Sequence, residues 1–220
     1  MKKAWIAWSS GKDSAWALHE ARKSGEFEIV GALTTVTEAF GRVSMHAVRE
    51  EILQRQCEAI GLRQIVVPIP FPCPNEIYEA RMDAALEQAK AEGVTHIIFG
   101  DLFLEDIRRY REEKMAGSGI APVFPLWNRP TDALAREMIK GELQAKLVCI
   151  DPKILPKEFA GRAFDQSLLN DLPSSVDPCG ERGEFHTCVT GGPMFSREIK
   201  VKPGEVVERD GFVFADLVPL

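Results

Sequence analysis

The sequence predicts an α/β protein in which a parallel-sheet domain is followed by a smaller C-terminal α+β subdomain. Over about the first 125 residues, short β-branched segments alternate with segments of helical composition. The strand-like segments are apolar throughout, as expected for a parallel sheet covered on both faces. Beyond them, prolines divide the chain into short pieces, at positions 125, 130, 152, 156, 173 and 178. We therefore expect two parts, residues 1–127 and 128–220, with a boundary near residues 125–130.

Strands are predicted in the first part at residues 4–10, 28–36, 64–69 and 95–99. Helices are predicted at residues 13–24, 47–60, 75–92 and 105–115, and Gly25 and Gly61 follow two of them as C-caps. The longest helix has Asn75 as its predicted N-cap and an apolar stripe at helical spacing, formed by Ile77, Ala80, Ala84, Ala85 and Ala89. The second part has strand patterns at residues 147–150 and 210–218. The first part is thus predicted to consist of successive βαβ units.

The composition excludes several classes of protein. The 220 residues include 27 Lys and Arg against 33 Asp and Glu, for a net charge of −6, and 45% of them are hydrophobic. These values are ordinary for a globular protein and exclude a disordered, collagen-like or disulfide-scaffold chain. An isoelectric point near 5.4 argues against a protein that coats nucleic acid through bulk positive charge, but it allows a local anion site.

The sequence also bears on the compartment. The apolar run at residues 4–8 is too short for a secretory signal or a membrane helix. The five cysteines are odd in number and form no C-x-x-C pair, which favours reduced thiols. We therefore expect a cytoplasmic protein that does not bind a membrane.

The hexapeptide SSGKDS, residues 9–14, lies between the first predicted strand and the first predicted helix. Such a turn directs backbone N–H groups and the positive end of the helix dipole at one point, where an anion is stabilised. Gly11 allows close backbone approach, Lys12 adds a charge, and Ser9 and Ser14 add hydroxyl groups. The loop is not a Walker A loop, because Lys12 is followed by Asp13, which could bind Mg²⁺ or cap the helix. The alternative is a polar turn in which Asp13 caps the helix and Lys12 is solvated.

A second group of polar residues follows the fourth predicted strand. Gly100 and Asp101 come at its carboxyl end, where parallel sheets bind ligands. In the next helix, Arg108 and Glu112 are four residues apart and share a face, so they can pair. The other charged residues of this helix are expected to be solvated: Arg109, Arg111, Glu113 and Lys114.

The densest polar cluster of the C-terminal part is DPCGERGEFHT at residues 177–187, here called the acidic turn. If residues 184–187 are extended, Glu184 and His186 point to one side while Phe185 points into the core. A carboxylate beside an imidazole can organise Mg²⁺, a substrate amine or a proton transfer. The alternative is a polar loop with a core-facing Phe185.

These motifs together resemble a known family. The SSGKDS loop is similar to the PP-loop of the N-type ATP pyrophosphatases. With GDL at residues 100–102, Arg108, Glu112, PLW at 125–127 and GERGEFHT at 180–187, the chain resembles the diphthine–ammonia ligase (diphthamide synthase) family from residue 4 to about residue 200. The GEFHT element is the specific part. Ser10 stands where many members have Gly, and we expect it to have a negative φ.

The resemblance implies a HUP/PP-loop (adenine nucleotide alpha hydrolase-like) domain and an ATP-dependent ligase. Such a ligase adenylates a carboxylate, releases pyrophosphate and lets ammonia displace AMP. The implied cofactors are ATP and Mg²⁺. The implied ATP contacts are Ser9, Ser10, Gly11, Lys12, Asp13, Ser14, Gly100 and Asp101. The implied catalytic residues are Lys12, Asp13, Glu184 and His186, the acceptor contacts are Arg108, Glu112, Glu181 and Thr187, and the Mg²⁺ ligands are Asp13 and Asp101.

The family also implies the partners. The carboxylate would lie on elongation factor 2 in an archaeal or eukaryotic source and elsewhere in a bacterial one, the nitrogen would come from free ammonia or a partner, and a homodimer is left open. Two alternatives remain. One is a tRNA-modifying PP-loop enzyme of the thiolase or lysidine synthase type, for which Cys179 and Cys188 would be the working thiols; nucleic acid is not the expected partner. The other is an ATP-binding sensor without catalysis. We expect the remaining histidines to be structural: His19, His46 and His96.

Overall fold

A computed structural model describes all 220 residues. The first part of the chain contains β1 (Lys2–Ala7), α1 (Lys12–Ser24), β2 (Phe27–Thr37), β3 (Arg42–Val43), α2 (Glu50–Ile60), β4 (Arg63–Ile69), α3 (Asn75–Ala91), β5 (His96–Ile98), α4 (Glu105–Met115) and β6 (Ala121–Val123). The second part contains α5 (Thr131–Lys140), β7 (Gln144–Ile150), a 3-10 turn (Lys157–Phe159), α6 (Gln166–Asp171), β8 (Phe185–Gly191), β9 (Val201–Arg209) and β10 (Phe212–Pro219).

The first sheet has five parallel strands in the order β4-β2-β1-β5-β6, and the short β3 pairs antiparallel with the end of β2. This confirms the predicted α/β class. The chain adds strands on one side of β1 and then returns to add β5 on the other side. Ligands bind at such a switch point, outside the carboxyl ends of the strands. The loops that follow β1 and β5 therefore meet at the edge where a ligand is expected.

The second sheet is antiparallel, in the order β8-β7-β10-β9, and it shares a core with the first. One cluster of 40 buried residues includes Ile6 of β1, Leu18 of α1, Leu53 of α2 and Val189 of β8. A separate cluster of 13 buried residues, including Trp5, lies on the other face of the parallel sheet. The second sheet thus covers the α1 and α2 side, which brings β8 against the start of α1.

Several sequence predictions need correction in detail. The buried face of α3 is Ala85, Leu86 and Ala89, whereas Ile77, Ala80 and Ala84 are exposed. The predicted stripe is therefore confirmed only at Ala85 and Ala89, and the larger, partly buried Tyr78 and Met82 pack against the same cluster. The N-cap of α3 is Pro74, so Asn75 is the first helical residue.

Other predictions are confirmed. Gly25 and Gly61 end α1 and α2 in the left-handed conformation, with φ of 69° and 67°. All five cysteines are free thiols. No helix has both the length and the apolar character that a membrane crossing requires.

Candidate active site

The Ser9–Ser14 loop connects β1 to α1, as predicted. Gly11 is the N-cap of α1 in an extended conformation, and it has no side chain with which to cap the helix. Asp13 therefore does not act as a cap, and the alternative of a simple polar turn is wrong. The Ser14 hydroxyl donates to the Gly11 carbonyl at 3.0 Å and lies 3.2 Å from the Ser9 hydroxyl. These contacts fold the loop around the positive end of the α1 dipole.

Ser10 has a φ of 68°, so the expected negative φ is wrong. Its backbone lies in the left-handed region that favours glycine. The side chain is fully buried, and its hydroxyl has no hydrogen-bond partner. Tertiary contacts of the Ser10 carbonyl, such as the one from the Val189 N–H at 2.9 Å, hold this conformation.

Lys12 is buried, with only 2% of its surface exposed, instead of solvated. Its ammonium group donates to Asp13 Oδ2 at 2.8 Å and to the Cys179 carbonyl, between the rings of Phe164 and Phe185. Burial alone would lower the pKa of Lys12, but the nearby groups Asp13, Cys179 and Glu181, of which Asp13 contributes most, together outweigh it and hold the pKa above its usual value. The side chain therefore carries a full positive charge at the base of the loop.

The acidic turn lies against the start of α1. The N–H of Lys12 donates to Thr187 Oγ1 at 3.0 Å, which satisfies one of the free N–H groups of the helix. Thr187 belongs to β8, 175 residues further along the chain. The two parts of the chain therefore build the site together.

Gly100 and Asp101 lie opposite the loop, as their place after β5 predicts. A Cβ on Gly100 would come within 2.7 Å of the backbone of Asp13 and Ser14, so only glycine fits there. The Asp101 carboxylate accepts two hydrogen bonds from Arg111, at 2.6 and 3.0 Å. Arg111, which we expected to be solvated, instead lies over the Phe99 ring at 4.4 Å and neutralises Asp101.

The predicted pair on α4 is confirmed as a contact, since Arg108 Nε donates to Glu112 Oε1 at 2.7 Å. The guanidinium of Arg108 also lies over the rings of Phe124 and Trp127, at 4.9 and 4.7 Å. Both charged side chains are partly exposed, and neither forms a hydrogen bond with the loop. Their role as acceptor contacts stays a prediction.

The carboxylates of the acidic turn have different surroundings. Glu184 is buried and accepts the N–H groups of Asp177 and Arg182, at 3.0 and 2.9 Å. Asp177, which we did not single out, accepts from the Thr131 hydroxyl at 2.6 Å and from the Cys179 N–H at 2.9 Å. These two carboxylates shape the turn. Glu184 faces the turn rather than the side on which His186 lies.

Glu181 is the less constrained carboxylate of the turn. It accepts one hydrogen bond, from the Leu102 N–H at 2.8 Å, which joins the turn to the segment after β5. Burial raises the pKa of Glu181 to about 7, and the nearby carboxylates of Asp13 and Asp101 add to the increase. Glu181 can therefore change its charge near neutral pH.

His186 lies beside His46, which we expected to be structural. The two rings are 4.8 Å apart, and a Cβ on Gly11 would lie 2.6 Å from His46 Cε1. His46 Nδ1 is 2.9 Å from the Thr187 carbonyl, which can only accept, so Nδ1 carries the proton and Nε2 is an acceptor. Burial lowers the pKa of His46 to about 3 and that of His186 to about 4, so both rings are neutral.

The segment that carries His46 is held by an ion pair from the second sheet. Asp216 of β10 accepts hydrogen bonds from Arg42 at 2.8 Å and from Arg49 at 2.5 Å. The sequence could have suggested His46, because it follows β2 and therefore lies at the ligand edge of the parallel sheet. Its contact with β8 is to a residue 141 positions away in the sequence, so no local sequence pattern indicates that contact.

A cavity of about 210 Å³ opens beside His186 and is here called the aromatic cavity. Its lining includes Phe40, Met45, Phe71, Phe212, Phe214 and Arg209. The Arg209 guanidinium lies over the Phe40 and Phe214 rings, at 5.0 and 5.2 Å. A larger groove of about 460 Å³, between α2 and residues 197–200, contains none of the predicted site residues. The aromatic cavity is therefore the one that adjoins the candidate site.

Two family models match the chain: the diphthamide synthase N-terminal domain over residues 1–121 and the diphthamide synthase C-terminal domain over residues 130–215. The chain belongs to the diphthamide synthase family. The family expected from the motifs is thereby confirmed.

Curated relatives of this family member are named diphthine–ammonia ligase. The Homo sapiens protein is 30% identical over 168 residues, which are 74% of this chain and 61% of the relative. The Bos taurus protein is 29% identical over 159 residues, 70% of this chain and 59% of the relative. The Danio rerio protein is 31% identical over 118 residues, 51% of this chain and 46% of the relative. The chain thus spans about three fifths of the length of the first two.

The predicted Mg²⁺ ligands of this family member do not form a metal site by themselves. No group of three His, Cys, Asp or Glu side chains is arranged to hold a metal ion. Asp13 and Asp101 are instead paired with Lys12 and Arg111. The residues present therefore do not fit a resident metal ion held by protein side chains.

Proposed function

We propose that this protein is an ATP-dependent carboxylate–ammonia ligase of the N-type ATP pyrophosphatase class. One observation carries the proposal: the buried ammonium group of Lys12 lies where the Ser9–Ser14 loop meets the acidic turn. A fixed charge in this position stands between an anion-binding loop and a region of carboxylate and imidazole groups. Relatives named diphthine–ammonia ligase support the same reaction.

In the proposed first step, an oxygen of the acceptor carboxylate attacks the α-phosphorus of ATP. The bond to the pyrophosphate oxygen breaks, and negative charge develops on pyrophosphate. The N–H groups at the start of α1, the hydroxyls of Ser9 and Ser14 and the ammonium of Lys12 would stabilise that charge. Gly100 would let the nucleotide-binding backbone segments approach closely, and Asp101 would lie at the opposite side of the same site.

In the proposed second step, ammonia attacks the acyl carbon of the adenylate, and AMP leaves with the electron pair of the broken C–O bond. The attacking nitrogen must also lose a proton to become the amide nitrogen. His186, a neutral imidazole beside the aromatic cavity, is the proposed acceptor of that proton. Thr187 and Glu181 would contact the acceptor, and Arg108 and Glu112 would contact it further out. Glu184 would act by fixing the acidic turn, since its oxygens bind backbone N–H groups.

We propose that Mg²⁺ enters the site together with the nucleotide and is not held by protein side chains alone. Mg²⁺ commonly binds through one or two carboxylates together with phosphates, and it keeps several waters. Asp13 or Asp101 could reach it only after leaving Lys12 or Arg111.

The proposed acceptor is diphthine on elongation factor 2 if the source is archaeal or eukaryotic, and another carboxylate if the source is bacterial. The proposed nitrogen source is free ammonia or a partner that delivers it. A cytoplasmic location is consistent with such partners.

The test is a product assay with the purified chain, ATP, Mg²⁺, ammonium chloride and diphthine-bearing elongation factor 2. We expect AMP, pyrophosphate and amide in equal amounts, and none of them when the acceptor is omitted. ATP–pyrophosphate exchange with a panel of carboxylates extends the test to other acceptors. Release of ADP and orthophosphate, or ATP binding with no turnover for any acceptor, would reject the proposal, and the second outcome would favour a sensor.

A tRNA-thiolating enzyme is less well supported. Thiolation needs reactive thiols, but Cys179 and Cys188 are both buried. Burial raises the pKa of Cys188 to about 12 and raises the pKa of Cys179 as well. Neither would form the nucleophilic thiolate near neutral pH. A salt-sensitive gel shift with tRNA would revive this alternative.

A further inference from the structure

Gln56 is a polar residue in an otherwise apolar face of α2. It is fully buried, among neighbours such as Ile52, Leu53 and Ile60. A buried amide is unfavourable unless its hydrogen-bonding groups are paired. The contacts of Gln56 should therefore explain why an amide is present at this position.

The amide of Gln56 makes three hydrogen bonds to nitrogen and oxygen atoms, and its Nε2 also lies 3.8 Å from Cys188 Sγ. Its Oε1 accepts from Trp8 Nε1 at 3.0 Å, and its Nε2 donates to the Ser10 carbonyl at 3.2 Å and to the Val189 carbonyl at 2.7 Å. The indole can only donate and the two carbonyls can only accept, so a single orientation of the amide satisfies all three. Gln56 therefore joins the end of β1, the Ser9–Ser14 loop and β8.

One of these contacts reaches the loop residue with the unfavourable backbone. Ser10 has a φ of 68°, and its carbonyl accepts from both Gln56 Nε2 and the Val189 N–H. In the planar peptide that follows, the N–H of Gly11 points the opposite way from this carbonyl. It lies 3.3 Å from Ser9 Oγ, on the side of the loop hydroxyls. The direction of the Ser10 carbonyl thus sets the direction of a loop N–H group.

We propose that Gln56 is a positioning residue that holds Ser10 in the left-handed conformation and so keeps the loop N–H groups in their anion-binding arrangement. The inference rests on the proposed function, in which this loop binds the phosphates of ATP. Gln56 itself contacts no reacting atom. A glycine at position 10 would adopt the left-handed conformation at little cost and would not need the hydrogen bond from Gln56. Ser10 has a Cβ, and the hydrogen bond from Gln56 holds it in that conformation.

A double-mutant cycle tests this inference. The variants are Gln56→Leu, Ser10→Gly and the double variant, with Gln54→Leu as the matched control, because Gln54 is exposed on the same helix. The probe is α,β-methylene-ATP with Mg²⁺, and the readouts are its Kd from titration calorimetry and the Tm of each variant. This analogue does not split between the α and β phosphates and needs no acceptor.

We expect Gln56→Leu to weaken binding of the analogue about 10-fold, a factor that matches the left-handed penalty of a residue with a Cβ. Ser10→Gly should restore binding in the double variant to within about 3-fold of the Ser10→Gly single variant. It should not restore the Tm, because Trp8 Nε1, whose hydrogen-bond partner is Gln56 Oε1, stays unpaired. Gln54→Leu should change neither quantity.

Three results would overturn the inference. Unchanged affinity in Gln56→Leu would show that the loop does not depend on the amide. Lost affinity that Ser10→Gly fails to restore would show a purely structural role. If Gln56→Leu does not fold, Gln56→Met, which keeps the side-chain length, replaces it. Failure of both variants to fold would also show a purely structural role for Gln56. If the wild-type chain does not bind the analogue, the proposed function itself fails, and this inference fails with it.

Discussion

The two ends of the candidate site are built differently. The end proposed to bind ATP, here called the nucleotide end, consists of one continuous loop, residues 9–14, together with residues 100–101 from the neighbouring strand end. The end proposed to bind the acceptor, here called the acceptor end, combines His46, the acidic turn and the β9–β10 hairpin, which are far apart in the chain. An anion site at a helix N-terminus needs few residues, because backbone N–H groups do most of the binding. A pocket for a larger acceptor needs side chains from several elements, and only tertiary packing brings these together.

The carboxylates at the two ends also differ in the groups that they contact. At the nucleotide end, Asp13 and Asp101 are each paired with a cation. In the acidic turn, Glu184 is satisfied by two backbone N–H groups, whereas Glu181 accepts one and has a pKa raised to about 7 by burial. Sequence spacing alone would give Glu181 and Glu184 similar roles. Their contacts indicate that Glu184 shapes the turn and that Glu181 faces the site.

The largest effect is expected at the nucleotide end, from Lys12→Met. Methionine fills a similar volume but removes the charge opposite the leaving pyrophosphate. We expect the rate of AMP release to fall 10²–10³-fold, or about 3–4 kcal/mol of barrier, the usual loss for one such electrostatic contact. Lys90→Met, at an exposed position of α3, is the control. Near-normal AMP release by a folded Lys12→Met variant would contradict the proposed role.

The difference between the two ends also explains which features could be predicted from the sequence. The alternation of strands and helices, the loop at residues 9–14 and Gly100 with Asp101 were predictable, because each depends on neighbours in the chain. The positive φ of Ser10, the Asp101–Arg111 pair and the contact of His46 with β8 were not. The φ of Ser10 and the contact of His46 depend on β8, which the second sheet brings to the loop. The Asp101–Arg111 pair depends on how α4 lies against the end of β5, and no local pattern encodes either arrangement.

The second effect tests the acceptor end. His186→Gln removes the proposed proton acceptor but keeps a polar side chain of similar size. We expect amide formation to slow about 10²-fold, as for loss of general base catalysis, while ATP–pyrophosphate exchange changes less than about 3-fold. His96→Gln, at the opposite end of the parallel sheet, is the control. Equal losses in both half-reactions would assign His186 to binding instead.

The third-largest effect is expected from Glu184→Gln, and it is an effect on the free energy of unfolding. The substitution places an NH₂ group opposite a backbone N–H that the carboxylate now accepts. We expect the free energy of unfolding to fall by about 2–3 kcal/mol, the cost of unpairing a buried charged contact. The measurement is urea denaturation, with the exposed Glu113→Gln as the control. A loss below about 0.5 kcal/mol would remove Glu184 from the positioning role.

The fourth effect depends on pH and separates Glu181 from Glu184. Burial raises the pKa of Glu181 from 4.5 to about 7, so the folded protein binds this proton more tightly than the unfolded chain. The stabilising contribution is therefore complete below about pH 4.5 and is lost as the pH rises through about 7. Between pH 5 and 8, the wild-type chain should lose about 2–2.5 kcal/mol of unfolding free energy relative to Glu181→Gln. Parallel pH profiles of the two proteins would contradict the raised pKa.

The smallest effect is expected from Arg111→Lys, which returns to the nucleotide end. Lysine keeps the charge but cannot make the two parallel hydrogen bonds that Arg111 makes to Asp101, nor stack on Phe99 as a plane does. We expect the affinity for α,β-methylene-ATP to fall about 3–10-fold, or about 1 kcal/mol, because Asp101 becomes freer to repel the phosphates. Arg109→Lys, at an exposed position of the same helix that forms no ion pair, is the control. An increase in affinity would contradict this expectation, because it would mean that the pair with Arg111 holds Asp101 away from a metal ion that accompanies the nucleotide. Asp13 and Asp101 would then be ligands that bind the ion once they leave Lys12 and Arg111, rather than fixed elements of the site.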